Sequence, residues 1–305
     1  MGRKGVLASC FFLNYKTDKA KSCLVFSFYD SLSEALLSLR NSLGTRAFVD
    51  LQWCVQAMKI LSTMHTGLLL LLIDNPSLRQ KWLDQYMDHT IFLLDVCNSL
   101  KAAVSSLEKY RLLTEFTIES IKGHTRDPEV LVMEMQRLTM KKNELQGSKS
   151  WAKMAVHRCE EWGVPPLRLS HVMRDAQGVV AMVASLLVSV VVTSGVHVGG
   201  GGHPIGALDP AGSTMFTQMG EDMWREAGLL EEVERVESVV EEIGEELVGG
   251  WVEDEGKLCE IVEVLKRRSN HLKEGLERFE GVVDQVFNEV VDGRNKILHL
   301  FGDGT

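Results

Sequence analysis

LLEEVERVESVVEEIGEELV, residues 229–248, and GKLCEIVEVLKRRSNHLKEGLERFEGVVDQVFNEVV, residues 256–291, decide the fold. In the first, Leu229, Val233, Val236, Val240, Ile243 and Leu247 step by four and three. In the second, Leu258, Ile261, Leu265, Arg268 and Leu272 step the same way, and Leu276, Phe279, Val283, Val286 and Val290 continue the row. An average step of about 3.5 residues lays one apolar seam along a helix. Gly249-Gly250 interrupts the pattern. Two seamed helices joined by a glycine turn predict an antiparallel hairpin, with Val240 and Ile243 facing Leu265 or Leu272.

The same period runs toward the N-terminus. Leu32, Leu36, Leu39 and Leu43 form a short stripe between Asp30-Ser31 and Gly44. Leu51, Cys54, Met58, Leu61, His65, Leu68 and Leu72 form a longer one, broken at Asp74-Asn75-Pro76. Ser77 with Gln80 reads as a capping box opening a long helix to Gly123. That helix carries Leu78, Trp82, Met87, Leu93, Leu94, Cys97, Leu100, Val104, Leu107, Arg111, Phe116 and Ile121. Asp127-Pro128-Glu129 gives an N-cap, a proline at the first helical position and an acid in the first turn, for a helix to about Gly147. A further helix is expected around Trp151, Met154, Ala155, Cys159 and Trp162. No hairpin-type Asn-Gly or Asp-Gly pair lies between alternating runs, so no sheet is expected. The fold class is all-α: an elongated helical bundle with a C-terminal antiparallel hairpin and an apolar central helix.

That central helix is VVAMVASLLVSVVVTSGVHV, residues 179–198, inside a window without a charge from Ala176 to Leu208. Twenty residues of helix span about 30 Å, enough to cross a bilayer. Burial in the bundle centre is the preferred placement, because a true span would separate the acidic hairpin from the helices it packs on. Insertion in a membrane is the alternative. The glycine-rich GGGGHPIG that follows reads as a loop, within about 199–212, and lacks the Gly-Lys-Ser/Thr ending of a phosphate loop.

Charge excludes some functions. With 33 Lys and Arg against 42 Asp and Glu, the net charge is −9, a poor match to nucleic acid. Residues 221–292 carry a net −14, leaving residues 1–220 mildly positive; solvated helix faces in the last third are the plain reading, and docking of an acidic helix pair onto a more basic body is the sharper alternative. The six cysteines, Cys10, Cys23, Cys54, Cys97, Cys159 and Cys259, form no CxxC pair and read as free thiols. None of the common metal, nucleotide or hydrolase motifs is present, and the nine histidines are scattered. His157 and Cys159 have the wrong spacing to bind one ion from one helix face. His65 and His89 read as core or boundary residues. No cofactor is expected, and no catalytic or metal-binding residue is singled out.

Three stretches in order resemble one plant family, the BYPASS or BPS-like proteins. The first is WLDQYMDHTIFLLDVCNSLKAAVSSLEKYRLL, Trp82 to Leu113, where Trp82, Asp84, Tyr86, Asp88, Leu94, Asp95, Cys97, Asn98, Arg111 and Leu112 stand at comparable positions. The second is MRDAQGVVAMVASLLVSVVV, Met173 to Val192, and the third LKEGLERFEGVVDQVFNEVVDGRNKIL, Leu272 to Leu298, with Gly293-Arg294 near its end. The resemblance covers about residues 50–301. It implies a division into a divergent segment 1–45 and a BPS-like helical domain 46–305. It also implies a non-enzymatic regulator of root and shoot development, which restrains a root-derived mobile signal. An enzyme or small-molecule carrier in the same signal pathway is the alternative. The matched Trp82, Asp84, Tyr86, Asp95, Cys97, Asn98, Arg111, Gly293 and Arg294 are expected to be structural, with Trp82 plugging the core and Asp95 and Arg111 in ion pairs. An unknown protein partner, possible membrane association through 179–198 and no nucleic acid are the expected partners. The location would be cytoplasmic or membrane-associated in a plant cell, or the plastid, since MGRKGVLASCFFL, residues 1–13, resembles a poor targeting segment.

Overall fold

The computed structural model describes residues 19–43, 48–123, 128–147, 171–193, 229–248 and 255–302. Seven helices carry almost all of them: α1 (Lys19–Leu43), α2 (Leu51–Asp74), α3 (Pro76–Gly123), α4 (Pro128–Gly147), α5 (His171–Thr193), α6 (Glu231–Val248) and α7 (Glu255–Gly302). Two-residue strands β1 (Phe48–Val49) and β2 (Leu229–Leu230) pair in parallel. The class is all-α as the periodicity predicts, and this ladder of two residue pairs leaves it so. The reason for the ladder is local: it seats the starts of α2 and α6 side by side. The glycine turn at 249–250, the stretch around Trp151, His157 and Cys159, and the loop at 199–212 lie outside the described residues.

Helices α3 and α7 have 48 residues each, about 72 Å at 1.5 Å per residue. They run antiparallel: Arg294 meets Met87 and Thr90, Lys101 meets Asp284, and Lys122 meets Glu263. Helix α2 lies parallel to α7, with Leu51 against Gly275, Ser62 bonded to Glu289 and His65 against Gly293. Helix α6 runs antiparallel to α7, since Glu246 pairs with Lys257 at 2.8 Å while Glu232 lies close enough to His271 to feel its charge. The predicted hairpin is therefore present, and Val233, Val236, Val240 and Ile243 are buried along it, as are Leu265 and Leu272. The cross-pairs from α3 to α7 place Lys101 and Lys122 of the body on Asp284 and Glu263 of the hairpin, the docking that the charge asymmetry offered as its alternative reading.

Every residue of the α2 stripe from Leu51 to Leu72 is buried. The helix is buried on a second side too, by Trp53, Ile60, Met64 and Leu71, because α1 packs there. Helix α1 starts earlier than Asp30-Ser31 predicts, and Phe28, Leu32, Leu36, Leu39 and Leu43 enter the core. Trp53 Nε1 donates to the Leu39 carbonyl at 3.2 Å and tethers the pair. The long helix opens at Pro76 rather than at Ser77: the Arg79 N–H bonds the Asn75 carbonyl, and proline occupies the first turn, where its missing N–H costs nothing. Phe116, placed in the α3 stripe by spacing, is 56% exposed, with the Arg137 guanidinium 5.5 Å from its ring centroid.

Helix α5 is the central helix. Of its described side chains from Val172 to Val191, all but Arg174, Asp175, Gly178 and Ser189 are buried. It packs on α2, α3 and β2. Helices α2, α3 and α5 are each long and apolar enough to cross a membrane by length and composition, yet the protein covers 72% of the apolar window of α5 with its own chain.

Candidate functional site at the crossing of three helices

The matched residues that come together do so where α2, α3 and α7 cross. Tyr86 is fully buried on α3, and its ring stacks on His65 of α2 at 5.8 Å between centroids. Gly293 of α7 closes the cluster. A side chain there has no room: a Cβ would stand 2.6 Å from His65 Nε2 and 2.9 Å from Tyr86 Oη. One residue on, Arg294 Nη1 donates to the Met87 carbonyl at 2.9 Å and to Thr90 Oγ1 at 2.5 Å. Glycine admits the α7 backbone, and arginine pins it to α3. On the α2 side, Ser62 Oγ donates to Glu289 Oε2 at 2.5 Å, and Gln285 Nε2 donates to Glu289 Oε1 at 2.8 Å.

The electrostatics follow from burial. Desolvation holds the His65 pKa down to about 4, against the opposing pull of the Glu289 backbone carbonyl and charge. His89 is held down to about 3 by burial and then by the nearby His65. Burial pushes the Tyr86 phenol up, opposed by the Arg294 charge. At neutral pH both rings are uncharged. Tyr86 Oη and the His65 ring nitrogens meet no partner in hydrogen-bond geometry among the described residues. A general acid or base must reach the proton it moves, and these groups face packed side chains. The cluster is suited to fixing helix register. Among the described residues no group of three or more His, Cys, Asp or Glu side chains could hold a metal ion.

The other matched positions lie apart from this crossing. Trp82 is 2% exposed and lies in the core. Asp84 and Asn98 are exposed, and Cys97 is buried, its thiol pushed up to about 12 chiefly by desolvation. Asp95 is half-buried, with its carbonyl accepting from Ser99 Oγ at 2.8 Å. Arg111, 4% exposed, is held by Glu108 at 2.7 Å and Glu115 at 2.8 Å on its own helix. Sixteen residues of helix, about 24 Å, separate Asp95 from Arg111.

Spacing did not reveal Thr90, Glu289 or Glu232. Glu232 is a buried carboxylate of α6 that accepts the Leu51 N–H at 3.0 and 3.2 Å, while Asp50 Oδ1 accepts the Trp53 N–H at 2.7 Å. Two acids thus satisfy N–H groups at the start of α2, one of them from 181 residues away. Burial raises the Glu232 pKa and the Leu51 bond opposes it. Asp50, directly before the apolar stripe, was the available signal.

The comparisons agree with the motifs. One relative is Protein BPS1, chloroplastic, of Arabidopsis thaliana, 27% identical over 112 residues, which cover 31% of this chain and 32% of that protein. The chain is similar to the BPS-like proteins of plants. UPF0496 protein 4 of Oryza sativa, in subspecies indica and japonica, is 27% identical over 109 residues, 34% of this chain and 24% of that protein. The matched part thus spans about a third or less of these relatives. No family model matches, and no solved structure matches.

Proposed function

We propose that this chain is a non-enzymatic helical scaffold in plant growth control, acting as a BPS-like regulator that restrains a root-derived mobile signal. The observation that supports it is the use of the matched residues: Tyr86, Gly293 and Arg294 lock α7 to α2 and α3, and Trp82 fills the core. Residues used in this way preserve a shape, and a fixed shape is what an interaction protein presents to a partner. An unidentified protein is the partner in this reading. The word chloroplastic in the name of BPS1 supports the plastid as the location, beside the cytoplasm or a membrane surface. Membrane association through residues 179–198 is the second reading, favoured by the charge-free length of that segment.

The test is a plant line lacking the chain. Its roots are expected to arrest, and a normal shoot grafted onto them is expected to arrest as well. Affinity purification of the tagged chain from roots should return a protein at stoichiometric yield. Normal growth of the grafted shoot sinks the signal reading, and turnover of a co-purified metabolite by the isolated chain sinks the scaffold reading.

A further inference from the structure

A groove of about 390 Å³ lies between α1 and α2, beside the three-helix crossing, with which it shares Ser62. It exists because small side chains leave space between the helices unfilled: Ser27, Ser31 and Ala35 on α1, and Gly67 on α2. At Gly67 the Phe28 ring lies directly on the backbone, 2.7 Å from where a Cβ would stand. The floor is apolar and buried, formed by Phe28, Leu32, Ile60, Met64 and Leu71. The rim is exposed hydroxyl, from Ser27 and Ser31 on one side and Thr63 and Thr66 on the other. Leu70, 52% exposed, stands uncovered on the rim.

The hydroxyls around the groove differ: Ser27, Ser31 and Thr66 can donate or accept, and two on α2 have their protons committed. Thr63 Oγ1 gives its proton to the Lys59 carbonyl, and Ser62 Oγ gives its proton to Glu289. Both therefore offer the groove lone pairs only. At one end stands Asp74, the only charged side chain among the described residues lining the groove. It is the last residue of α2 and is exposed. An apolar floor, a hydroxyl rim and a carboxylate at one end suit an apolar body with a cationic, donating head.

We propose that this groove binds a cationic amphiphile, an ammonium head on an apolar body, with the head at Asp74 and the body along Phe28, Leu32 and Met64. A carboxylate recognises N–H donors that carry charge, and it repels an anionic head. The assignment stands apart from the growth-control reading, and failure of one leaves the other in place.

The experiment is calorimetric titration of the full chain with decylammonium, decanol and decanoate, each below its micelle concentration. Saturable binding of decylammonium at one site is expected, with decanol weaker and decanoate undetected. Asp74→Asn should weaken decylammonium by about tenfold, the value of one charge-assisted contact, and leave decanol unchanged. Ser31→Leu, which fills the groove, should abolish binding; Thr66→Leu does the same from the opposite wall if the first variant loses helix content by circular dichroism. Lack of saturable decylammonium binding, equal affinity for decanol or decanoate, or an unaltered affinity in folded Asp74→Asn overturns the assignment.

Discussion

At the scale of single residues, Gly293 and Gly281 make opposite predictions on the same helix. A Cβ at Gly293 would press into His65 and Tyr86, both buried in a packed crossing. Gly293→Ala is expected to destabilise the fold by about 1–3 kcal/mol, the usual cost of overpacking. At Gly281 a Cβ meets nothing within 4 Å, so Gly281→Ala should gain about 0.5–1 kcal/mol from helix propensity alone. Urea midpoints of the two variants decide it; equal shifts would remove the crossing from the account. The histidines add a pH dependence with a definite sign. Folding lowers the pKa of His65 from 6.5 to about 4 and of His89 to about 3. Their contribution is fully present above pH 6.5 and is lost as the pH falls through that value toward 4. The loss is on the order of 3 kcal/mol per ring if the shifts are realised in full. Urea midpoints at pH 7.5, 6 and 5 should fall in sequence, and His65→Phe should flatten the fall. A midpoint that is level down to pH 5 contradicts the buried, neutral rings. The sequence showed these histidines on or beside apolar stripes, but which buried atom lacks a partner is a three-helix property that spacing cannot express.

At the scale of elements, the acidic hairpin and the apolar helix each carry a test. Ile243 is fully buried in the α6 seam, so Ile243→Asp places an unpaired carboxylate there and should cost several kcal/mol. Thermal melts within a degree of the parent would take Ile243 out of the seam. For α5, the chain supplies its own cover, and carbonate extraction of a plant membrane fraction should release the tagged protein to the supernatant. Retention in the pellet would mean that α5 inserts in lipid. Most of the seams were legible, because a period of three and four residues survives any tertiary arrangement; Phe116, which spacing placed in the α3 stripe, is exposed. The early start of α1 was not, since nothing before Asp30 in that segment shows a stripe of comparable regularity. Nor was the opening of α3 at Pro76, where two start signals lie one residue apart and backbone geometry chose between them.

At the scale of the whole molecule, three ties run between elements distant in sequence: Glu232 to Leu51, Gly275 to Leu51 and Arg294 to Thr90. Pairings of this kind set topology, and no local signal carries them; only the charge asymmetry hinted that the last third docks on the rest. The exposed pairs Lys101–Asp284 and Lys122–Glu263 steer that docking more than they strengthen it. Replacing both lysines by alanine should shift the urea midpoint only slightly, since exposed pairs are screened by solvent. The placement of α7 has a consequence during synthesis. This helix covers α2 and α3 along much of their length, yet it is the last described segment to leave the ribosome. Until it does, the apolar sides of two long helices stand open to solvent, a state prone to aggregation and to capture by holding chaperones. A transcript cut short before codon 255 yields an aggregation-prone product rather than a weakened protein.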